Sequence, residues 1–352
     1  MPSQAAQSSV RPFLPLLPAR ASGPGRHLAA SDFAVGNLDL YLTSTCNRQC
    51  SYCFLSESFF SSKSSFRVDT VREIVAWALG SSIEEFTLLG GEPALHPDFR
   101  AILAAIRQAG FRVRIVTNGS PRFRRALRTP EVIAAIDRVA VSLDAPSAEI
   151  FDQLRGPRAF SDVKLTIRAL RDLGKAFDIN FTVVKSALPY VGRMLALAEE
   201  LGACRINMHW FSEVGRGRTA GEGVSAAEWR RVLDEVSAHR PASADFVVDC
   251  ELGFGFGLPG ENKQMCAVRE RTNLQFLPDG TVYSCGMMVD RPDLAGYKWI
   301  DGALYQRQGD NEVTRTAMSC SGCPMRGAGD ALSSPVPLCI YNRLDRAESL
   351  HP

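Results

Sequence analysis

Cys46, Cys50 and Cys53 fall in a C-x3-C-x2-C spacing on a loop just past a β-rich run at residues 38–44. Three thiolates so close together can wrap one corner of a [4Fe–4S] cube, and three ligands, unlike four, leave one iron open to a substrate or cofactor. The same spacing also suits a zinc knuckle with a distant fourth ligand, or buried thiols that bind nothing. The chain has 352 residues and ten cysteines, too sparse for a small secreted disulfide scaffold and generous for a plain cytosolic enzyme. The remaining seven are Cys204, Cys250, Cys266, Cys285, Cys320, Cys323 and Cys339. A tight group near the N-terminus and a looser one near the C-terminus look like two soft-metal sites, which implies a reducing compartment.

Polar residues close the runs that follow. Gly90-Gly91-Glu92-Pro93 ends a buried run at 85–89, Thr117-Asn118-Gly119 ends one at 112–116, and Ser142-Leu143-Asp144 ends one at 138–143. Parallel α/β sheets bind ligands at the carboxyl ends of their strands. Two glycines let the backbone approach a ligand closely, and backbone carbonyls with Glu92 can accept from an ammonium group. Standing alone, the tetrapeptide would read as a simple strand-to-loop turn.

The elements that must position these residues alternate regularly. Strand patterns at 38–44, 85–89, 112–116, 138–143, 178–184 and 205–210 are separated by helical patterns at 71–79, 99–108, 122–136, 163–173 and 191–201. A helical pattern at 227–238 and a short strand at 245–249 close the series. Such alternation predicts an α/β fold with parallel strands and right-handed crossovers, and leaves open whether the sheet closes. After Pro259 the rhythm changes: 274–277 and 281–283 flank Pro278-Asp279-Gly280, a hairpin signature, and the rest is Gly-rich and cysteine-bearing. A boundary is expected near 251–262. Residues 1–35 are rich in Pro, Ala and Ser, with no acid before Asp32 and a short, Pro-broken apolar run at 13–17. They read as a disordered tail rather than a signal peptide.

With C-x3-C-x2-C followed by Gly90-Gly91-Glu92-Pro93 at the next strand end, residues 38–250 resemble the radical S-adenosylmethionine (SAM) enzymes. The resemblance implies a partial (β/α)6 TIM-type barrel over 36–250, in keeping with the six alternations. It implies that Cys46, Cys50 and Cys53 bind a [4Fe–4S] cluster whose open iron chelates the amino and carboxylate groups of SAM. Tyr52 would lie against the adenine. Gly90, Gly91 and Glu92 would hold the methionine ammonium, and Ser142 and Arg155 would meet the carboxylate. Asn118 and Asp144 are candidates for ribose or substrate. The chemistry would be reductive cleavage of SAM to methionine and a 5′-deoxyadenosyl radical, which abstracts hydrogen from substrate.

In the C-terminal segment, Cys266, Cys285, Cys320 and Cys323 supply four thiolates, two around the hairpin and two in a C-x2-C. By spacing they suit a structural zinc or a fully ligated [4Fe–4S] cluster. Behind a barrel of this type, residues 251–352 resemble the small SPASM/twitch domains that hold auxiliary iron–sulfur clusters. The full seven-cysteine pattern is absent after Cys323, so one auxiliary cluster fits best. Cys339 is read as buried or as a further ligand, and Cys204 as packing. Cys250, at the end of the last strand, is read either as structural or as the candidate catalytic thiol, which, facing the substrate, would return a hydrogen atom to a carbon radical. His209, at another strand end, is read as a satisfied core histidine or a comparable substrate contact, and the basic stretch 112–128 as a solvated helix face.

Forty basic against 38 acidic residues leave a net charge of +2, which gives no footprint for nucleic acid or an anionic membrane. No apolar stretch approaches the roughly 20 residues of a spanning helix. The expected protein is therefore a cytoplasmic radical SAM oxidoreductase or epimerase served by a flavodoxin- or ferredoxin-type electron donor. Its expected substrate is a small carbohydrate-like molecule or aminocyclitol. The competing readings are a maturase of a ribosomally made precursor peptide and, outside catalysis, an iron–sulfur electron carrier.

Overall fold

In the computed structural model, which describes residues 25–250, 273–289, 292 and 295–307, one mixed sheet of twelve strands carries the molecule. Its parallel part comprises β2 (Asn37–Thr43), β3 (Glu85–Gly90), β4 (Arg112–Thr117), β5 (Arg138–Ser142), β6 (Phe177–Val183), β7 (Arg205–Trp210) and β8 (Val247–Cys250), paired in that order. The sheet is open, because the other edge of β2 pairs with β9 (Leu274–Phe276) rather than with β8. Beyond β9 lie β10 (Thr281–Tyr283), β11 (Tyr297–Ile300), β12 (Ala303–Gln306) and finally β1 (His27–Leu28), all antiparallel.

The alternation of side chains along each strand assigns the two faces. Leu38, Leu40, Phe86, Leu88, Val113, Ile115, Val139, Val141, Ile179 and Phe181 are fully buried under the helices. The helices follow the apolar periodicity: α2 (Val68–Ala78) buries Val71, Ile74, Val75 and Ala78, and α3 (Phe99–Gln108) buries Phe99, Ile102, Leu103 and Ile106. The opposite face lines a polar lumen. In register, Asp39, Thr87, Arg114 and Arg138 stand side by side, as do Asp178 and Arg205. Arg114 and Arg138 approach Asp178 at 3.4 and 3.7 Å, and Arg205 meets Asp249 at 3.0 Å. Burial deep in this lumen pushes Asp39 up to about 6, although Asn37 and Arg114 favour its charged form.

Several expectations are corrected here. The pattern at 122–136 is two helices, α4 (Pro121–Ala126) and α5 (Pro130–Ala135), because Pro130 lacks the N–H a continuous helix needs and opens a new one. Two helices went unseen in the sequence: α1 (Glu57–Ser61) in the cysteine loop and α6 (Ala148–Arg155) before α7 (Ala159–Asp172). The last two, α8 (Val191–Glu200) and α9 (Ala226–Ala238), lie where expected. The expected tail of residues 1–35 ends sooner. Residues 1–24 lie outside the described residues, whereas β1 pairs with β12 and Leu28, Phe33 and Val35 are buried.

The hairpin expected over 274–283 forms, with Val282 opposite Phe276, and it extends the barrel's own sheet through Leu38 and Leu274. An aromatic box seals that junction on the helix side, with Trp77 edge-on to Trp299 at 5.9 Å and Phe33 edge-on to Tyr297 at 5.4 Å. Contacts of this kind add about 0.5–1.5 kcal/mol each beyond the area they bury.

Candidate active site

The cysteine loop leaves β2 at its carboxyl end and is pinned on three sides. Ser44 donates its N–H to the Ser64 carbonyl at 2.8 Å, which sets the base of the loop. Arg48 reaches across to the α6–α7 junction, donating to the Pro157 carbonyl (2.9 Å) and to Asp162 (2.6 Å). The Ser51 N–H meets the Leu154 carbonyl at 3.1 Å, and the Cys53 carbonyl accepts from the Gly217 N–H at 3.1 Å. All three thiols are half-buried, and Cys50 lies close enough to Cys46 and Cys53 to disfavour their charge.

The two glycines after β3 have a role beyond the expected one. Gly91 donates to the Thr43 carbonyl (2.8 Å) and Glu92 to the Thr45 carbonyl (2.9 Å), so the strand end runs along the start of the cysteine loop. A Cβ on Gly91 would stand 2.2 Å from the Thr45 oxygen and 3.0 Å from the Cys46 nitrogen, both backbone atoms. Gly90, at φ +135, is under similar pressure from the Thr43 oxygen at 2.6 Å. Gly91→Ala is therefore expected to displace the loop and to lower iron retention several-fold, measured as iron per chain after anaerobic reconstitution. Gly36→Ala, where a Cβ meets nothing within 4 Å, should keep the wild-type iron content.

Glu92 is fully buried, and its carboxylate is already engaged. It accepts from the Thr117 hydroxyl at 2.8 Å and from the Asn118 N–H at 2.9 Å, tying the end of β3 to the end of β4. Burial pushes it up to about 7 against these bonds. The side chain thus positions its neighbours. Asn118, a ribose or substrate candidate by resemblance, turns instead to the cysteine loop, donating to the Asn47 side chain at 3.0 Å with the Cys46 sulfur at 3.7 Å.

Asp144 is likewise engaged and fully buried. It accepts from the Tyr52 hydroxyl, from Arg155 Nε at 2.6 Å and from the Thr182 N–H at 2.8 Å. The Arg155 guanidinium lies 5.4 Å from the centre of the Tyr52 ring and 5.5 Å from that of Phe151. Burial works against the Arg155 charge, but Asp144 beside it more than restores it and holds its pKa above the ordinary arginine value. Asp144 therefore positions Tyr52 and Arg155. Ser142 ends β5 in register with Asn180, which accepts from the Asn207 amide at 2.8 Å, so the upper lumen is lined by neutral hydroxyl and amide groups.

Cys250 does not face that lumen. It pairs in register with Met208 and belongs to the core beneath the helices, while Asp249 and Asn207 occupy the lumen side. The expectation of a thiol facing the substrate is corrected on this ground. Cys204 precedes β7 and is half-buried rather than within a core strand. His209, also half-buried, is on the lumen face in register with Thr182. Of the C-terminal cysteines only Cys285 is described; Cys266, Cys320, Cys323 and Cys339 lie outside the described residues. Cys285 packs with Cys53 against one small core containing Tyr41, Leu55, Leu277 and Tyr283, in which Tyr41 donates to Gln275 at 3.0 Å.

The loop suits a soft-metal cluster. Burial pushes Cys46 up to about 11 and Cys53 up to about 12, so their thiolates need a bound cation to form near neutral pH. Around them, buried Asn118 Oδ1 and Arg216 Nη1 have no hydrogen-bond partner among the described residues. Among the described residues no three His, Cys, Asp or Glu side chains converge on a point as a single-ion site requires; a cluster of several irons needs its thiolates spread around it.

Residues 40–185 match the Radical SAM superfamily. The chain carries a radical SAM domain. That family uses a [4Fe–4S] cluster together with SAM, and the open parallel sheet is its partial barrel. The chain is 32% identical over 198 residues to the AdoMet-dependent heme synthase of Methanosarcina barkeri, covering 54% of this chain and 55% of that protein. It is 25% identical over 199 residues to AlbA, the subtilosin biosynthesis protein of Bacillus subtilis, covering 56% and 44%. The chain thus spans about half the length of these relatives. SuiB of Streptococcus suis, bound to its precursor peptide SuiA, superposes with a TM-score of 0.60 at 18% identity, over 73% of this chain and 61% of SuiB. A SAM-bound structure of SuiB gives 0.59.

No helix among the described residues is long and apolar enough to cross a membrane. The Arg216 turn escaped the sequence analysis, although Gly215-Arg216-Gly217 just past β7 follows the same strand-end logic that singled out the other site residues.

Proposed function

We propose that Cys46, Cys50 and Cys53 hold the SAM-binding cluster, and that the chain oxidises a small hydroxyl-bearing substrate of carbohydrate or aminocyclitol type by hydrogen-atom abstraction. The observation that carries the cluster assignment is the pinned loop of three half-buried thiols at the carboxyl ends of β2 to β5. When bound, the cluster supplies the electron that cleaves SAM. The protein's own groups do the rest: Glu92 and Asn118 fix the loop, Asp144 sets Tyr52 and Arg155, and the barrel excludes water. The lumen arginines Arg114, Arg138 and Arg205 are engaged by Asp178 and Asp249, leaving them little charge for a substrate with several anionic groups. Neutral Ser142, Asn180, Asn207 and Thr182 suit hydroxyls instead.

Dehydrogenation is the better reading than epimerisation, since Cys250 lies on the helix side of β8 and is poorly placed to return a hydrogen atom. The electron left after proton loss would pass to an auxiliary cluster on Cys266, Cys285, Cys320 and Cys323. A second reading, maturation of a precursor peptide, is favoured by the likeness to AlbA and SuiB. Reduced, reconstituted protein given SAM should form 5′-deoxyadenosine, and a mere electron carrier would form none. Candidate polyols and precursor peptides should then be compared by how far each accelerates that reaction. A product two hydrogens lighter than its substrate supports dehydrogenation, whereas one deuterium gained from deuterium oxide would overturn it in favour of epimerisation.

A further inference from the structure

After Cys53 the chain does not run free. The turn Gly215–Thr219 lies directly on it: Gly217 donates to the Cys53 carbonyl at 3.1 Å and Arg216 donates its backbone N–H to the Leu55 carbonyl at 3.3 Å. Gly215, at φ +58, comes so near that a Cβ there would stand 2.2 Å from the Phe54 oxygen. This contact fixes Arg216 at the edge of a cavity of about 400 Å³ whose walls include Ser51, Glu57 and Thr219, so the cavity abuts the cysteine loop itself.

The guanidinium is held from two sides. Nε donates to Glu57 at 2.5 Å, and the plane lies 4.2 Å from the centre of the Phe60 ring. Arg216 is 16% exposed whereas Glu57 is 72% exposed, so water screens the carboxylate far more than the cation. Nη1 is buried and has no acceptor among the described residues. A buried charged donor without a partner costs several kcal/mol unless something accepts from it. Glu57 chiefly, and Cys53 and Cys50 beside it, raise the Arg216 pKa further, which agrees with thiolates near the guanidinium.

We propose that Arg216 is a positioning residue for the cluster on Cys46, Cys50 and Cys53: its buried Nη1–H is aimed at a ligating thiolate or sulfide, and its charge makes that cluster easier to reduce. The inference rests on the cluster assignment under Proposed function. A fixed positive charge and an N–H···S bond both stabilise the state carrying one more electron, so both raise the reduction potential.

The test is a potentiometric titration of reconstituted full-length protein, followed by electron paramagnetic resonance on the signal that changes when SAM is added. Arg216→Gln is expected to keep wild-type iron but to move that signal to a more negative potential, so that the fraction reduced at a fixed potential falls several-fold. Arg216→Lys, which keeps a charge but not the fork, should be displaced in the same direction by less. If Arg216→Gln fails to hold iron, Arg216→Lys alone carries the comparison. Wild-type potential in an iron-replete variant overturns the inference and leaves the cluster assignment standing. Absence of any SAM-sensitive signal in the wild type overturns the cluster assignment itself, and this inference with it.

Discussion

A variant with Cys46, Cys50 and Cys53 all replaced by alanine is expected to form no 5′-deoxyadenosine. It should retain about four irons per chain, against about eight in the wild type, if each cysteine site holds one four-iron cluster. The loop's anchors predict that the loss stays local. Arg48 holds the α6–α7 junction and Ser44 holds the loop base through groups other than the thiols. The ultraviolet circular dichroism of the triple variant should therefore match the wild type, while its iron and its SAM cleavage do not. Residual SAM cleavage would show that the catalytic cluster is held elsewhere. A drop from about four irons to none, with zinc present, would assign the C-terminal cysteines to zinc and leave the barrel assignment intact.

The next largest effect is expected at Asp144. Replacing it with alanine strands the Arg155 charge, whose side chain is only 11% exposed, and frees the Tyr52 hydroxyl and the Thr182 N–H together. Breaking a buried pair by removing one partner costs about 3–5 kcal/mol, enough to lower the urea midpoint markedly. Tyr52→Phe removes one hydrogen bond and leaves the ion pair, so it should cost only about 1 kcal/mol. The pairing of Asp144→Leu with Arg155→Met separates stability from function. Two apolar residues in place of the ions should recover much of the lost stability, but SAM binding, read by equilibrium dialysis, should stay impaired because nothing then holds Tyr52. Recovery of both would return Asp144 and Arg155 to a purely structural role.

The strands and most helices were legible because one face of each is buried under helices and the apolar period is strong. The helical pattern at 122–136 misled because Pro130 sits inside an otherwise sound period, and a proline opens a helix as readily as it breaks one. The strand-end residues were also legible as a set. What could not be read was whether each is free to meet a ligand. Asp144 takes its partners from Tyr52, Arg155 and Thr182, which only the folded chain brings together. Cys250 was open to a parity argument: in Val247-Val248-Asp249-Cys250 the polar residue marks the lumen side and its neighbours the other. Arg216 announces itself only once the turn it sits on is seen lying against the backbone of residues 53–55.

The strand order has a consequence for how the chain reaches this state. Among the described residues, β1, at His27–Leu28, pairs only with β12, and the edge of β2 is covered only by β9. Both partners lie more than two hundred residues downstream, so a ribosome must release nearly the whole chain before either edge is satisfied. Until then the first parallel strand presents an open row of backbone donors and acceptors, a template for pairing with another chain. Pairings so remote in sequence also form slowly, since their loop-closure entropy is lost before any contact compensates it. Synthesis at lower temperature, or with chaperones that shield nascent chains, should therefore raise the soluble yield more than it raises the stability of protein already folded.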